Sequence, residues 1–394
     1  MISVSEAREI IQQYGAALQP LSMKLQDAVG CRLAVDIFSP LDIPAYPQSS
    51  MDGYAFSFAD WQNNTGLQIK GEMAAGSSDQ FKIDPDAAIR IFTGAAVPPG
   101  ADTVVMQEKI TVINGVLQIQ DEQLKKGANV RLKGSEIKAG ELALSAGMTV
   151  TPAAIGFLAA MGITELLVFP PPVITIIITG NELQTPGHEL SYGQVYDSNS
   201  FALTAALQQC GVKQVQLVQV SDELEKLTHQ LKQALEQSDI VLLTGGVSVG
   251  DYDFVVAAAQ RCGISTRFHK LKQRPGKPLF FGTKESKLIF GLPGNPSSVL
   301  TCFYMYVLPV VNKMINGKNG LLIKQVPLSS AYQKTAGLTH FLKGYFDGHT
   351  VNPLGAQESY RMRSFAGANC LIELDEAITD CDQGTIVAVH LLPE

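Results

Sequence analysis

The hydrophobic pattern between about residues 172 and 318 predicts alternating strands and helices. Wholly apolar runs such as VITIII (173–178) and IVLL (240–243) each precede an amphipathic stretch of helical length. Strands that lack polar alternation are buried on both faces, which is typical of parallel sheets covered by helices. Residues 171–320 are therefore predicted to form an α/β domain with three layers around a mostly parallel sheet.

The chain on either side of this segment carries a different pattern. Between residues 41 and 140, short β-favouring runs such as AIRIF (88–92) alternate with Gly and Pro turns, which predicts a β-rich insertion. Short strands of the same kind recur after residue 320 and predict a small C-terminal β domain over 321–394, built like a β-barrel. The remaining segments, 1–40 and 141–170, are assigned together to one linker domain.

Capping residues predict two helices in this linker domain. Ser3 and Glu6 have the spacing of a capping box, and apolar residues follow at helical spacing, which predicts a helix over 3–18. Thr151 followed by Pro152 predicts a second helix with Thr151 at its N-cap, and Gly162 is predicted to end it.

Composition narrows the function classes. The 394 residues carry a net charge of −7, which argues against a nucleic-acid-binding protein because phosphate neutralisation needs a basic surface. No apolar run reaches the length of a membrane span, and the N-terminal stretch lacks the apolar core of a secretory signal. The six cysteines form no CxxC pair, which favours free thiols in a reducing cytoplasm over disulfides or a zinc site. The expectation is a cytoplasmic protein that binds neither membranes nor nucleic acid.

Glycine- or acid-bearing turns follow four of the predicted strands. They comprise residues 179–182 (TGNE), 221–222 (SD), 244–248 (TGGVS) and 291–296 (GLPGNP). Ligands of an open parallel sheet bind beyond the carboxyl ends of its strands, so these turns are predicted to share one crevice. Asn295 is predicted to cap the helix that follows, with Pro296 at its first position and free N–H groups beyond it for an anion.

The same edge offers carboxylates but no standard nucleotide loop. GGVSVG does not match GxGxxG, and no GxxxxGK[ST] occurs, which disfavours dinucleotide and P-loop enzymes. The nearby acids supply the hard oxygen ligands that suit Mg²⁺ beside substrate phosphates, and they are Glu182, Asp222, Asp251 and Asp253. For Asp251, a helix cap is an equally good explanation.

A basic cluster lies in the stretch HKLKQRPGKP, and it comprises Lys270, Lys272, Arg274 and Lys277. In an acidic protein such a cluster suits an anion site, since arginine can form paired hydrogen bonds with phosphate. A solvent-exposed edge strand is the alternative explanation of the same residues.

Six motifs follow one another along the chain: SSMDGYAF, RIFTGAAVPPGADTVVMQE, ITGNEL, TGGVSVGDYDF, RPGKPLFFG and GLPGNPSS. Together with SYRMRSFAGANCLIEL near the end, they resemble the molybdopterin molybdenumtransferase family, which includes the catalytic domain of gephyrin. The resemblance runs from the N-terminal helix to the last domain.

The resemblance implies an elongated homodimer with four domains per chain, in which 41–140 form a lid and 1–40 with 141–170 serve dimerisation. It implies an enzyme that inserts molybdate into adenylylated molybdopterin and releases AMP, with Mg²⁺ or a similar cation. The cleft is expected between the α/β domain of one subunit and the lid of the other. Transient contacts with a molybdopterin adenylyltransferase and with maturation partners of molybdoenzymes are implied as well.

The resemblance also implies roles for individual residues. The catalytic residues are expected to be Asp52, Thr93, Glu182, Asp222 and Asp253, with the cation on Glu182 and Asp253. The substrate-binding residues are expected to be Arg131, Gly246, Ser248, Lys270, Arg274, Lys277, Pro293, Asn295, Pro296, Lys343 and Ser364. The chain departs from the family pattern at Asn181, where an acid is usual, at Arg274, where lysine is common, and at GDYDF, which replaces a Glu-Ala-Asp sequence.

Two other functions fit part of these observations. Adenylyl transfer onto molybdopterin would need only the α/β domain, and the lid and the C-terminal domain count against it. A molybdopterin-binding scaffold without turnover would fit the relation to gephyrin. The chain has no long linker, however, and it retains Asp52, Glu182 and Asp253.

Overall fold

The computed structural model describes residues 1–63, 66–77, 82–246, 254–317 and 320–393. The chain divides into two compact units. The larger unit contains 1–22, 30–32 and 167–394, and the smaller unit contains 23–29 and 33–166. Each unit is considered separately, and the predicted division into four domains stays a prediction.

A six-stranded sheet forms the centre of the larger unit. Its spatial order is Val215–Val220, Ile174–Thr179, Ile240–Thr244, Lys287–Leu292, Phe280–Lys284 and Ser265–His269. The first four strands are parallel, and the last two are antiparallel to their neighbours. The predicted mostly parallel sheet is confirmed.

Helices cover both faces of this sheet, as the wholly apolar strands require. Ile176 and Leu242 pack on one face against three helices, which are Val4–Gln12, Asn199–Gln209 and the helix that begins at Pro296. Ile177 and Leu243 pack on the other face against Leu224–Gln237 and Phe254–Arg261. Successive strand residues therefore enter different cores, which explains the absence of polar alternation.

The helix Pro296–Asn316 contains a π-helical turn. Its parts are Pro296–Cys302, the π turn Phe303–Val307 and Leu308–Asn316. By length and apolar composition this helix alone, among the described residues, could cross a membrane, but 83% of its most apolar window is buried inside the protein. Its apolar surface is thus accounted for by the core of the larger unit.

The C-terminal part of the larger unit is a second sheet. Its order is Gln273–Arg274, Thr339–Phe346, Cys370–Leu374, Ile386–Leu391 and Ile323–Pro327. Val351–Pro353 pairs with Thr339–Phe346, Tyr332–Gln333 pairs with Asp380–Cys381, and the short helix Met362–Ala366 lies between strands along the chain. The first strand comes from the basic stretch of the α/β segment and pairs in parallel with Thr339–Phe346. The basic stretch therefore leaves the central sheet at His269 and joins this second sheet at Gln273.

The smaller unit is built on a six-stranded sheet. Its order is Thr103–Met106, Gly53–Phe56, Ala87–Ile91, Leu67–Met73, Val116–Ile119 and Ile110–Ile113. Gly53 lies in the centre, where a Cβ atom would come within 1.8 Å of the Val105 carbonyl oxygen. Only glycine fits this position, because the neighbouring backbone occupies the place of a side chain. The predicted β-rich insertion is confirmed.

Shorter elements complete the described chain. The helices are Phe58–Asn63 and Pro152–Ala160, with 3₁₀ turns at Leu25–Asp27 and Gln107–Lys109. The strands are Leu21–Lys24, Arg32–Leu33, Ile37–Phe38, Gln48–Ser49, Val130–Arg131, Leu142–Leu144, Glu165–Phe169, Leu183–Gln184 and Val195–Tyr196.

The two predicted caps are present, but the first helix is shorter than predicted. Ser3 Oγ accepts a hydrogen bond from the Glu6 N–H at 3.1 Å, and Thr151 Oγ1 accepts one from the Ala154 N–H at 3.1 Å. The first helix ends at Gln12 rather than at residue 18, shortly before Gly15, whose φ of +75° does not continue a helix. Lys313 Nζ, from a distant helix, donates to the Gln12 carbonyl at 2.6 Å and stabilises this helix end.

Candidate functional site

A cavity of about 800 Å³ opens at the carboxyl end of the central sheet of the larger unit. Six of the predicted site residues line it, and they are Glu182, Arg274, Lys277, Pro293, Asn295 and Pro296. Two of the four predicted turns, 179–182 and 291–296, contribute to this cavity together with the basic stretch, whereas Asp222 and Gly246 do not line it. The surrounding wall is completed by 195–199 and by 357–360.

Glu182 and Asp222 follow neighbouring strands but have different surroundings. The Glu182 carboxylate lines the cavity and has no hydrogen bond or ion pair to a described residue. Asp222 is tied to Asn181, because each backbone N–H donates to the other's side-chain oxygen at 3.3 Å. The neutral Asn181 makes this exchange without adding a second carboxylate charge beside Asp222. Asn181 and Asp222 thus hold the two neighbouring turns together.

The basic stretch divides into two groups. Arg274 and Lys277 are exposed and line the cavity, and neither has a salt bridge to a described residue. Lys272 instead pairs with Glu376 at 3.7 Å. Lys270 has a φ of +75° and does not line the cavity. The cavity thus has two cationic side chains available for an anion.

The turn over 291–296 is joined to the C-terminal sheet domain. Asn295 occupies the N-cap position with Pro296 at the first helical position, but its side chain makes no capping hydrogen bond. The predicted side-chain cap is wrong, because Asn295 Nδ2 donates instead to Ser359 Oγ at 2.9 Å. The Ser297 N–H donates to the Ser359 carbonyl at 3.0 Å. Ser359 therefore fastens one cavity wall to another.

Lys343 lies behind this wall and holds it. Its side chain is buried, and Nζ donates to the carbonyls of Ala356 at 2.8 Å, Arg361 at 3.2 Å and Glu358 at 3.3 Å. Burial lowers the pKa of Lys343 below its ordinary value. All three ammonium donors thus have backbone partners.

Ser364 supports the same segment. Its Oγ donates to the Ala356 carbonyl at 2.8 Å and to the Arg361 carbonyl at 3.3 Å. In this structure Lys343 and Ser364 both shape the wall over 356–361 from outside the cavity. Their expected direct contact with substrate stays a prediction.

Sequence reasoning missed Asp197 and Asn199, which also line the cavity. The buried Asp197 accepts hydrogen bonds from the N–H groups of Asn199 at 3.0 Å and Ser200 at 3.1 Å, so it caps the helix Asn199–Gln209. Asn199 Nδ2 donates to the Gly294 carbonyl at 2.8 Å. The stretch DSNS does carry a capping signal, but its proximity to Gly294 depends on the fold.

The predicted catalytic residues of the smaller unit lie together. Asp52 Oδ1 accepts hydrogen bonds from both the N–H and the hydroxyl of Thr93, each at 2.8 Å. These donors, the N–H first, lower the pKa of Asp52, so the carboxylate stays charged near neutrality. Arg131 is exposed on a strand that pairs with Gln48–Ser49. The expected meeting of these residues with Glu182 stays a prediction.

The glycine turn after Ile240–Thr244 is described only in part. Gly245 has a φ of +85°, and a Cβ atom there would lie 2.5 Å from the Thr179 carbonyl oxygen. Gly246 also has a positive φ, at +64°. The turn therefore needs glycine for both conformation and space. Ser248, Asp251 and Asp253 lie outside the described residues.

The carboxylates of the described residues suit a cation that is also bound by a substrate. No cluster of three or more His, Cys, Asp or Glu residues able to hold a metal occurs in the described ranges. Mg²⁺ usually takes only one or two protein carboxylates and completes its shell with water and phosphate oxygens. The unpaired carboxylate of Glu182 in the cavity fits that requirement.

Three family models match the chain in succession. "MoeA N-terminal region (domain I and II)" matches residues 2–162, and "Probable molybdopterin binding domain" matches residues 175–313. "MoeA C-terminal region (domain IV)" matches residues 325–392. The matches leave only short segments of the chain uncovered.

Full-length relatives agree with these models. The chain is 32% identical to the molybdopterin molybdenumtransferase of Haemophilus influenzae over 100% of both chains, and 35% identical to that of Staphylococcus epidermidis over 99% of this chain and 95% of the relative. It also resembles the crystal structure of the molybdopterin biosynthesis moea protein from Pyrococcus horikosii, with a TM-score of 0.81, 28% identity and full coverage of both chains. The chain therefore belongs to the molybdopterin molybdenumtransferase family.

Proposed function

We propose that the protein inserts molybdate into adenylylated molybdopterin and releases AMP, within molybdenum cofactor biosynthesis. The observation that carries this proposal is the cavity at the sheet edge, where the Glu182 carboxylate lies with the cations Arg274 and Lys277. An anionic pterin phosphate and an oxyanion both need such cations. Membership of the family supports the same reaction.

The residues divide into groups with different tasks. Arg274 and Lys277 bind oxyanions, because they face the cavity without ion-pair partners among the described residues. The turn over 293–296 and Asn199 form the neighbouring polar wall, which orients the pterin phosphate. Water hydrolyses the phosphoanhydride and releases AMP. The two dithiol sulfurs of the pterin form Mo–S bonds and pass their protons to one oxide of molybdate, which leaves as water.

A divalent cation such as Mg²⁺ would be held by Glu182, together with Asp253 as predicted from sequence. When bound, it would neutralise charge on the phosphoanhydride oxygens. Asp52 and Thr93, from the smaller unit, are proposed to complete the site through a homodimer. The two hydrogen bonds from Thr93 lower the pKa of Asp52 and hold its carboxylate in place.

The chain's extent disfavours the alternative of adenylyl transfer. That reaction would require only the segment matched at 175–313, whereas the chain also matches family models before and after it. A scaffold without turnover would not need an unpaired carboxylate beside free cations in one cavity. Transient contact with an adenylyltransferase that supplies the substrate follows from the proposed reaction, as does contact with maturation partners that take the product.

The proposal is tested by supplying the purified protein with adenylylated molybdopterin, molybdate and Mg²⁺ and by following AMP. Molybdate-dependent AMP release is expected. Absence of AMP release by folded protein would contradict the proposal, and formation of adenylylated molybdopterin from ATP would favour the adenylyltransferase alternative.

Two variants test the proposed site. Glu182→Ala and Asp52→Ala are each expected to lose turnover while retaining the wild-type melting temperature. Glu236→Ala is the matched control, because this exposed carboxylate lies in the last turn of the helix Leu224–Gln237 and does not line the cavity. Full activity in both site variants would show that the assigned site is wrong.

A further inference from the structure

A buried glutamine adjoins the cationic residues in the wall of the cavity. Gln273 precedes Arg274 and is only 1% exposed. Its Nε2 donates to the carbonyls of Pro275 at 3.0 Å and Gly276 at 3.1 Å. Pro275 and Gly276 are the two residues between Arg274 and Lys277. The Gln273 amide therefore fixes the backbone that carries both cations.

The π-helical turn directs a second residue to this amide. The hydroxyl of Tyr306, inside the turn, donates to Gln273 Oε1. Cys302, just before the turn, donates through Sγ to the Gly276 carbonyl at 3.7 Å. Tyr306 and Cys302 are both buried, and burial raises the pKa of each, so both remain protonated donors at neutral pH. π-helical turns are frequent at functional sites.

The space around the turn is tightly filled. Gly276 has a φ of +86°, and a Cβ atom there would lie 2.5 Å from Cys302 Sγ and 2.8 Å from Gln273 Nε2. Gln273 and Gly276 are buried within the cavity wall, whereas Arg274 and Lys277 are exposed on it. A change in Gln273 or Gly276 is therefore expected to shift the backbone that carries Arg274 and Lys277.

We propose that Gln273, supported by Tyr306, is a positioning residue that sets the separation of Arg274 and Lys277 for a tetrahedral oxyanion. The assignment of that oxyanion as molybdate rests on the proposed function. Gln273 touches no reacting atom in this scheme and acts only through the Pro275 and Gly276 carbonyls. Its removal should weaken the site for molybdate more than for the pterin, which has other contacts along the cavity wall.

Gln273→Met tests this proposal, because methionine keeps the length of the side chain and removes its hydrogen bonds. The dissociation constant for molybdate, measured by equilibrium dialysis, and the KM for molybdate should each rise about tenfold, as expected for loss of the two hydrogen bonds to the turn that carries the cations. The KM for adenylylated molybdopterin should stay within about twofold of the wild-type value. If Gln273 only stabilised the fold, the variant would contain less folded enzyme, which lowers the apparent kcat and leaves KM unchanged. A lower kcat with unchanged dissociation constant and KM for molybdate would therefore overturn the proposal.

Tyr306→Phe is a milder variant that keeps the bonds from Gln273 to the turn. Its molybdate constants should rise about threefold. If Tyr306 acts through Gln273, adding Tyr306→Phe to Gln273→Met should change the molybdate constants no further. Additive effects in the double variant would overturn the support assigned to Tyr306.

Thr175→Val is the matched control. Thr175 is also buried in the larger unit, and its hydroxyl lies 2.5 Å from Ser238 Oγ at the amino end of the central sheet. This variant should lower the melting temperature without changing either KM. Dialysis measures binding and needs no turnover, so the two proposals can fail separately. If neither the wild type nor the variants release AMP, the proposed function is refuted. If Gln273→Met nevertheless binds molybdate more weakly than the wild type, this inference stands. A wild-type protein that does not bind molybdate in dialysis would refute the inference.

Discussion

The partly buried ion pair between the N-terminal helix and the C-terminal sheet supports a quantitative prediction. The Glu373 carboxylate accepts hydrogen bonds from Arg8 Nη1 at 3.0 Å and Nη2 at 2.9 Å, and His390 Nε2 lies 2.6 Å away. Burial opposes ionisation, but the bonds from His390 and Arg8 outweigh it and lower the pKa of Glu373 from 4.5 to about 2. The perturbation is Glu373→Gln, which keeps the shape and removes the charge.

The magnitude follows from the lowered pKa. At 1.36 kcal/mol per pKa unit, the ionised carboxylate contributes about 3 kcal/mol to the free energy of unfolding at pH 7. Because the folded-state pKa is lower than the unfolded one, this contribution is complete above pH 4.5 and disappears as the pH falls towards 2. By pH 3 it should be about half its value at pH 7. Removal of one partner from a fully buried ion pair costs about 3–5 kcal/mol, and the lower end of that range applies here because Arg8 and Glu373 are partly exposed.

Urea unfolding at pH 7 and at pH 3.5 measures the effect. The difference in unfolding free energy between wild type and Glu373→Gln should be about 3 kcal/mol at pH 7 and clearly smaller at pH 3.5. Glu223→Gln is the control, because both side chains of the Glu223–Lys226 pair are exposed to solvent. Loss of this pair should not change the free energy of unfolding measurably. A Glu373→Gln difference that is small at pH 7, or that grows as the pH falls, would refute the reasoning.

Three further predictions concern the cavity wall, the smaller unit and its carboxylate. Lys343→Met should destabilise the larger unit by about 2 kcal/mol and speed amide hydrogen exchange over 357–360, because three carbonyls lose their donor; unchanged exchange would contradict this. Gly53→Ala should destabilise the smaller unit by more than about 3 kcal/mol, because the alanine Cβ collides with a strand carbonyl. Urea unfolding followed by the fluorescence of the single tryptophan, Trp61, measures this, and an unfolding midpoint equal to that of the wild type would contradict it. Thr93→Val should raise the pKa of Asp52 and move the acid limb of the activity profile to higher pH, because one donor is lost; an unmoved limb would show that Asp52 does not control it.

Local sequence patterns predict most of the fold. The apolar runs at 173–178 and 240–243 predict strands of a covered parallel sheet because both faces of each strand enter a core. Thr151 and Pro152 predict a helix start because capping depends on residues three positions apart. The predicted end of the first helix was wrong because the apolar spacing continues past Gly15, whose φ of +75° does not continue a helix. The contact of Lys313 with the Gln12 carbonyl, from about 300 positions away, could not be predicted locally.

In the candidate site, too, features set by local sequence could be predicted and features set by distant contacts could not. Glu182 and the turn at 293–296 could be predicted, since residues after parallel strands must lie at one sheet edge. The wall over 357–360 could not, because it reaches the cavity through Ser359 and is held by the buried Lys343. The position of Gln273 in the cavity wall likewise depends on a strand pairing with Thr339–Phe346. No pattern within the basic stretch reveals that pairing.

The most direct test of the central claim compares molybdenum incorporated with AMP released. Purified protein would receive adenylylated molybdopterin and a range of molybdate concentrations, with AMP measured by chromatography and pterin-bound molybdenum by mass spectrometry. The proposed reaction predicts one molybdenum in the pterin product for each AMP, with both signals absent in the Glu182→Ala protein. AMP release that does not depend on molybdate, or that leaves the pterin without molybdenum, would contradict the claim.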